Sequence, residues 1–175
     1  MKKPGIIAVA VALAGAIQPL GAQAPAKRVS PHETISTTLN GSQVKIEYGR
    51  PYLKGRSLDS LAPTDKVWRL GADEATKLTT DTDIQIGSLK VPKGSYALFA
   101  MPMASKWVLI VNKTADQWGA FSYDSAQDLG KTDMKVGKTG APVEQFTMTL
   151  EGSGKKAILK LAWGNVTADV PITVQ

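Results

Sequence analysis

The chain has 175 residues, 43% hydrophobic and 21% charged, with a formal net charge of +6, one histidine and no cysteine. A chain without cysteine forms neither disulfides nor thiolate metal sites. Its charges are dispersed, with no run of five like charges, which argues against the clustered basic face that nucleic-acid binding requires.

Lys2 and Lys3 precede an apolar run, Ile6 to Ile17, of twelve residues, shorter than the roughly 20 needed to span a bilayer. Pro19 and Gly21 break it, and both Ala22-Gln23-Ala24 and Ala24-Pro25-Ala26 fit the small-x-small cleavage pattern. Cleavage after Ala26 is favoured, because cutting after Ala24 would leave Pro25 first. Residues 1–26 therefore read as a signal peptide, with an uncleaved anchor as the alternative. Residues 27–175 read as a single domain, periplasmic or extracellular, with no transmembrane segment. This mature chain of about 149 residues carries a formal charge of +4 once Lys2 and Lys3 are gone, and is long enough to bury a core.

Most of it alternates with period 2, the strand signal. Ile35, Thr37 and Leu39 lead into Asn40-Gly41, a hairpin turn because both positions tolerate positive φ, and Val44, Ile46 and Tyr48 return. Val67–Leu70, Ala75–Thr80 and Ile84–Ile86 read as short strands. Ser95–Met101 is apolar on both faces, as in a central strand, and Trp107–Val111 follows. Lys113 to Val143 reads as a long loop, with at most one helical turn at Asp124–Leu129. Phe146, Met148 and Leu150, then Leu159, Leu161 and Trp163, flank a Gly152-Ser153-Gly154 turn. Val166 to Ile172 closes the chain as an edge strand, because Pro171 cannot donate to a ladder. About nine or ten short strands predict an all-β, antiparallel β-sandwich; a closed β-barrel is the alternative.

The densest chemistry lies between Tyr48 and Thr76. Arg50 is held extended by Pro51, Lys54 and Arg56 flank Gly55, Arg69 follows Trp68, and Asp73 and Glu74 follow Gly71. Arginine binds planar anions through bidentate hydrogen bonds, so the block reads as a site for a carboxylate, phosphate or sugar acid. The competing reading is internal pairing of Arg69 or Arg56 with Glu74 or Asp73. Trp118 and Tyr123, in the long loop, read either as a stacking platform or as a plug for the end of the sandwich.

Catalytic and metal chemistry is poorly supplied. His32 is the only histidine, too few nitrogen ligands for zinc or copper, and a serine triad would have to use it as base. No metal site and no cofactor are expected. Carboxylate pairs such as Asp73 with Glu74, or Asp124 with Asp128, supply an acid and a base for hydrolysis. Adjacent strand residues face opposite ways, however, so Asp73 and Glu74 are not expected to converge. Asp81, Asp83 and Asp124 lack the spacing of a calcium loop.

The string Ile46-Glu47-Tyr48-Gly49-Arg50-Pro51-Tyr52-Leu53-Lys54-Gly55-Arg56, with Val67-Trp68-Arg69-Leu70-Gly71-Ala72-Asp73-Glu74-Ala75-Thr76, resembles the opening blocks of the domain of unknown function 2911 family. Gly94-Ser95-Tyr96-Ala97-Leu98-Phe99, Asn112 to Trp118-Gly119, and Tyr123-Asp124 match in the same order, so the resemblance covers about Ser30 to Val174. It implies a small, exported, β-rich bacterial protein with no established activity. Many members have Asn at position 73, where this chain has Asp; Glu74 matches the pattern.

The leading reading is a non-catalytic binding module of the cell envelope. It would hold a small polar ligand, glycan or peptide at a face built from Tyr48, Arg50, Lys54, Arg56, Arg69 and Glu74, with Trp118 and Tyr123 nearby. A second reading is a hydrolase using Glu74 with Asp73 or Asp124. A third is a structural or assembly protein of the envelope, with Tyr48 and Trp68 as core anchors.

Overall fold

The computed structural model describes residues 27–174; the expected signal peptide lies outside the described residues. Among the described residues, nine strands are joined by turns and by two longer loops, each with one short helical turn. Strands β1 (His32–Leu39) and β2 (Ser42–Gly49) form the expected hairpin, with Asn40 at φ 50° and Gly41 at φ 82°. A four-residue helix α1 (Leu58–Leu61), capped by the Ser57 side chain, follows. Then come β3 (Thr76–Thr80), β4 (Ile84–Ile86), β5 (Leu89–Val91), β6 (Gly94–Pro102) and β7 (Trp107–Asn112). A 3-10 turn (Ser125–Gln127) precedes two long strands, β8 (Asp128–Ser153) and β9 (Lys156–Val174).

All neighbours are antiparallel, in the order β1-β2-β3-β6-β7-β8-β9-β4-β5. The sheet folds over on itself because β8 and β9 bend. The register of β8 against β9 shifts between Lys138, Val143 and Thr147, and Gly164 takes φ 58° opposite the bend. The first part of β8 continues the β7 ladder, while its distal part lies across the β1–β2 layer, where the Met148 N–H donates to the Tyr48 hydroxyl at 2.9 Å. The expected all-β sandwich is thus made from one continuous sheet. It is not a barrel: β1 and β5 remain its two edges.

Alternation along each strand fills the space between the layers. Val44, Ile46, Leu78, Leu98 and Leu109 face Phe146, Leu159, Leu161, Val170 and Ile172 in one buried cluster. Trp68 is its aromatic hub, stacked on Trp163 at 5.6 Å and edge-on to Phe146 at 5.1 Å and Trp107 at 6.0 Å. Full burial of such rings is worth roughly 1.5–3 kcal/mol each. Strand β6 is buried on both faces, as its apolar run predicts, because Phe99 and Ala97 belong to a second cluster on the outer face, with Tyr123 packed against it.

Four sequence expectations are corrected. Val67–Leu70 is not a strand but a single bridge, Trp68 to Ala100. The latter part of the stretch expected as a loop, from Asp128, is strand β8, whose Thr132, Met134 and Val136 alternate with solvated Lys131, Asp133 and Lys135. The turn beyond Ser153 is Gly154-Lys155, and the two strands expected after it are the single strand β9. That strand is internal, between β8 and β4. Pro171 is tolerated because it sits one residue past the β4 ladder, where its carbonyl still accepts from the Gly87 N–H at 2.8 Å.

The site-bearing loops are anchored by a backbone contact at the end of β2. A Cβ on Gly49 would lie 2.2 Å from the Ala72 carbonyl oxygen, which no rotamer change relieves. Gly49→Ala is therefore expected to lower stability by about 2 kcal/mol or more. Gly140→Ala, where a Cβ meets nothing within 4 Å, should stay within about 0.5 kcal/mol. Urea denaturation of the two variants checks this; equal midpoints would refute it.

Candidate functional site

The loop from Arg69 to Thr76 is a closed device. Leu70 and Asp73 both take left-handed φ, 54° and 62°, and the Thr76 hydroxyl donates to the Leu70 carbonyl at 2.6 Å while the Thr76 N–H donates to the Arg69 carbonyl at 3.1 Å. Asp and Asn are the non-glycine residues that best tolerate this φ. The loop is sewn to the long loop after β7 by an antiparallel bridge between Glu74 and Trp118, and by N–H donation from Gly119 to the Asp73 carbonyl and from Ala75 to the Gln117 carbonyl, both at 3.0 Å.

The two adjacent acids dock the segment ahead of β1. One Asp73 oxygen, Oδ2, accepts from the N–H groups of Val29 at 3.1 Å and Ser30 at 3.0 Å. Glu74 turns the other way, beyond the left-handed φ of Asp73. It receives Arg28 Nε at 2.8 Å on Oε1 and meets His32 Nε2 at 3.0 Å on Oε2. His32 Nδ1 faces the Ser30 carbonyl at 3.0 Å. Burial pushes the Glu74 carboxyl up, but the hydrogen bond from Arg28, a backbone hydrogen bond, and the charges of Arg28 and His32 outweigh it and hold the group below its ordinary value.

This docked segment, residues 28–32, separates two cavities. The first, about 430 Å³, is lined by Glu74 and Trp118 together with Arg28, His32, Glu47 and Lys77, with Asp116 and Tyr48 at its border. The second, about 400 Å³, is lined by Arg69, Lys54 and Arg56 with Tyr52, Leu61 and Asp73.

The expected site residues therefore do not form one face. Glu74, Trp118 and Tyr48 border the first cavity; Lys54, Arg56 and Arg69 border the second; Arg50 and Tyr123 border neither. The Tyr48 ring is a core anchor, edge-on to Phe146, and its hydroxyl donates to Glu33 at 2.7 Å; burial raises its pKa far above the ordinary value. Trp68 is the other anchor. Tyr123 covers Phe99 at 5.0 Å and donates to Asp128 at 2.8 Å. Burial and that carboxylate push its hydroxyl up as well.

The competing reading, pairing of Arg69 or Arg56 with Glu74 or Asp73, is not what the fold makes. Arg50 reaches Glu33 at 3.2 Å, Thr147 Oγ1 at 2.9 Å and the Phe146 carbonyl at 3.2 Å. Arg56 pins its own turn through the carbonyls of Leu53 and Tyr52, at 2.9 and 2.8 Å. The Arg69 side chain makes no hydrogen bond or ion pair among the described residues, and its Nε is buried without a partner. Burial pushes the Arg69 guanidinium below its ordinary value, against the opposing charge of Asp73.

The carboxylate pairs considered for hydrolysis are not assembled around Glu74. Asp73 is turned to the other cavity, and Asp124 caps the 3-10 turn by accepting from the Ala126 N–H at 2.9 Å. Among the described residues, no cluster of three or more His, Asp or Glu could hold a metal ion. Sequence reasoning missed Arg28, Glu47, Lys77 and Asp116, and weighed His32 only as a metal ligand or catalytic base. A usable signal existed for Glu47 and Lys77, which alternate outward on β2 and β3 and are paired in register.

A family model described as protein of unknown function (DUF2911) matches residues 30–172, and the chain belongs to that family. No curated protein and no solved structure matches it.

Asp73→Asn should preserve stability to within about 0.5 kcal/mol, since an amide oxygen accepts the same two N–H groups at the same φ. Asp73→Ala should lose about 1–3 kcal/mol by leaving them unpaired. Chemical denaturation that ranks Asn with Ala would refute this account. Glu74 has a folded pKa below its unfolded one. The stability it contributes is thus present above the unfolded value of about 4.3 and lost as pH falls through the folded value. Glu74→Gln should flatten that acid limb of the stability curve; parallel wild-type and variant curves would count against it.

Proposed function

We propose that this chain is an exported, non-catalytic binding module of the cell envelope, and that it holds a small polar ligand in the cavity between Glu74 and Trp118. The export part of the reading rests on the signal-like residues 1–26. The binding part rests on one observation. An aromatic side chain, three carboxylates and three cationic or ionisable donors converge on a cavity of about 430 Å³, within the size range of small-molecule sites, roughly 300–1,000 Å³.

Among small polar ligands, a glycan suits this lining best. Sugar hydroxyls both donate and accept, and here carboxylates (Glu47, Glu74, Asp116) alternate with donors (Arg28, His32, Lys77). Trp118 supplies the apolar body and polar tip on which the C–H face of a sugar rests. Most of the charges already have partners: Lys77 meets Asp116 at 2.7 Å, and Glu74 holds Arg28 and His32. A neutral or zwitterionic ligand is therefore favoured over a strongly charged one. A peptide segment is the second source of the same mixed polar chemistry.

Binding to an immobilised glycan library, followed by calorimetry on the hits, tests the reading. Trp118→Ala should weaken a hit by about tenfold and leave the fold intact, because Trp118 is outside both buried clusters. Absence of any hit, or a Trp118→Ala protein that binds as well as wild type, would overturn it.

A further inference from the structure

We propose that the second cavity, on the other side of the docked segment, binds an organic carboxylate whose anion meets Arg69 and Lys54 and whose apolar body lies against Tyr52, Pro51 and Leu61. This site is independent of the one between Glu74 and Trp118.

Partner accounting singles out Arg69. Arg50 and Arg56, the other arginines of the same motif, are committed to carbonyls, a hydroxyl and a carboxylate. Arg69 has no such partner among the described residues, and its Nε–H is buried and unpaired. A buried donor left unpaired destabilises a fold unless a partner from outside the chain, a water, an ion or a ligand, completes it. The ammonium of Lys54 has no partner among the described residues either. Lys54 is exposed, and its turn is fixed by donation of its N–H to Glu144 at 2.7 Å.

Charge and shape then define the ligand. Three cations face the cavity against one carboxylate, Asp73, which already accepts two backbone N–H groups. Apart from Ser30, the rest of the wall is largely apolar: Val29, Pro31, Pro51, Tyr52, Leu61 and Ala72. Inorganic phosphate would satisfy the cations and leave these walls unused, whereas a carboxylate on a ring or short chain uses both. The backbone that carries the Arg69 guanidinium is also fixed. Trp68 before it is locked in the aromatic core, and its N–H donates to the Ala100 carbonyl at 2.8 Å. Leu70 after it is held in the left-handed region. An arginine fixed at its backbone loses less freedom when it forms a bidentate pair.

The test titrates benzoate, 3-phenylpropionate, benzamide and inorganic phosphate into the purified protein. Calorimetry reads affinity, and nitrogen-resolved NMR reads the buried Arg69 Nε–H. The two acids should bind and shift the Arg69 resonance, with benzamide silent. Arg69→Ala and Lys54→Ala should each weaken the acids by about tenfold or more, the loss of a charge-assisted contact. Trp118→Ala should leave them unchanged, so that failure here is separable from failure of the glycan site. Lys54 is exposed, so its variant reports even if Arg69→Ala does not fold. Benzamide binding as tightly as benzoate, phosphate binding without benzoate, or acids that bind Lys54→Ala as they bind wild type would overturn the assignment.

Discussion

Backbone touches backbone where β2 ends, and both cavities depend on that contact. Gly49 lies against Ala72, and Gly71 against Gly49, at separations where a Cβ would stand 2.2 and 2.9 Å from a carbonyl oxygen. Only glycine permits this approach. It joins two stretches of chain, the end of a sheet strand and an irregular loop, into one rigid unit. Trp68 then points into the core, where it stacks on Trp163. Arg69, Asp73 and Glu74 are left on the surface side, on a backbone closed by Thr76. Loops that carry chemistry are usually mobile; this one is held by a glycine contact at one end and an aromatic core at the other.

What the sequence revealed and what it concealed follow from the range of the interactions involved. The β1–β2 hairpin was legible because its determinant, positive φ at Asn40 and Gly41, is local. The central position of β6 was legible because burial on both faces leaves a continuous apolar run. Strand β8 was hidden because Gly130, Gly137, Gly140 and Pro142 interrupt its alternation and the polar Thr132 fills one of its buried positions. Pro171 suggested an edge because the rule concerns ladders, and the β4 ladder stops one residue short of it. At the site, the link between Glu74 and the Trp118 loop was legible as two conspicuous clusters in one region. The docking of residues 28–32 was not. Its order comes from acids more than forty positions away, so the segment's own composition carries no sign of it.

The same distance explains why pairing of these acids with Arg69 or Arg56, one of the two competing readings, is not what the fold makes. Asp73 and Glu74 follow closely on Arg69, and sequence proximity suggests pairing among them. The left-handed φ of Asp73 and the opposed directions of the two side chains send one carboxylate to the N–H groups of Val29 and Ser30 and the other to Arg28 and His32. A two-residue acidic pair thereby grips a passing segment from both sides. The gripped segment becomes the wall that keeps one cavity rich in mixed charge apart from another rich in cations.

Three arginines within one motif have three different fates, and only the backbone distinguishes them. Arg50 leaves the end of β2 extended and reaches across to a carbonyl and a hydroxyl of β8 and to the Glu33 carboxylate of β1. Arg56 sits in a tight turn whose own carbonyls at positions 52 and 53 are within reach. Arg69 lies between a core tryptophan and a left-handed leucine, so its side chain emerges where the loop's carbonyls are already taken: Arg69's own by Thr76 N, Leu70's by the Thr76 hydroxyl. Density of arginine does not by itself tell which of the three lacks an internal partner. What separates a structural arginine from an available one is whether the local fold supplies an acceptor, and here it supplies acceptors to two of the three.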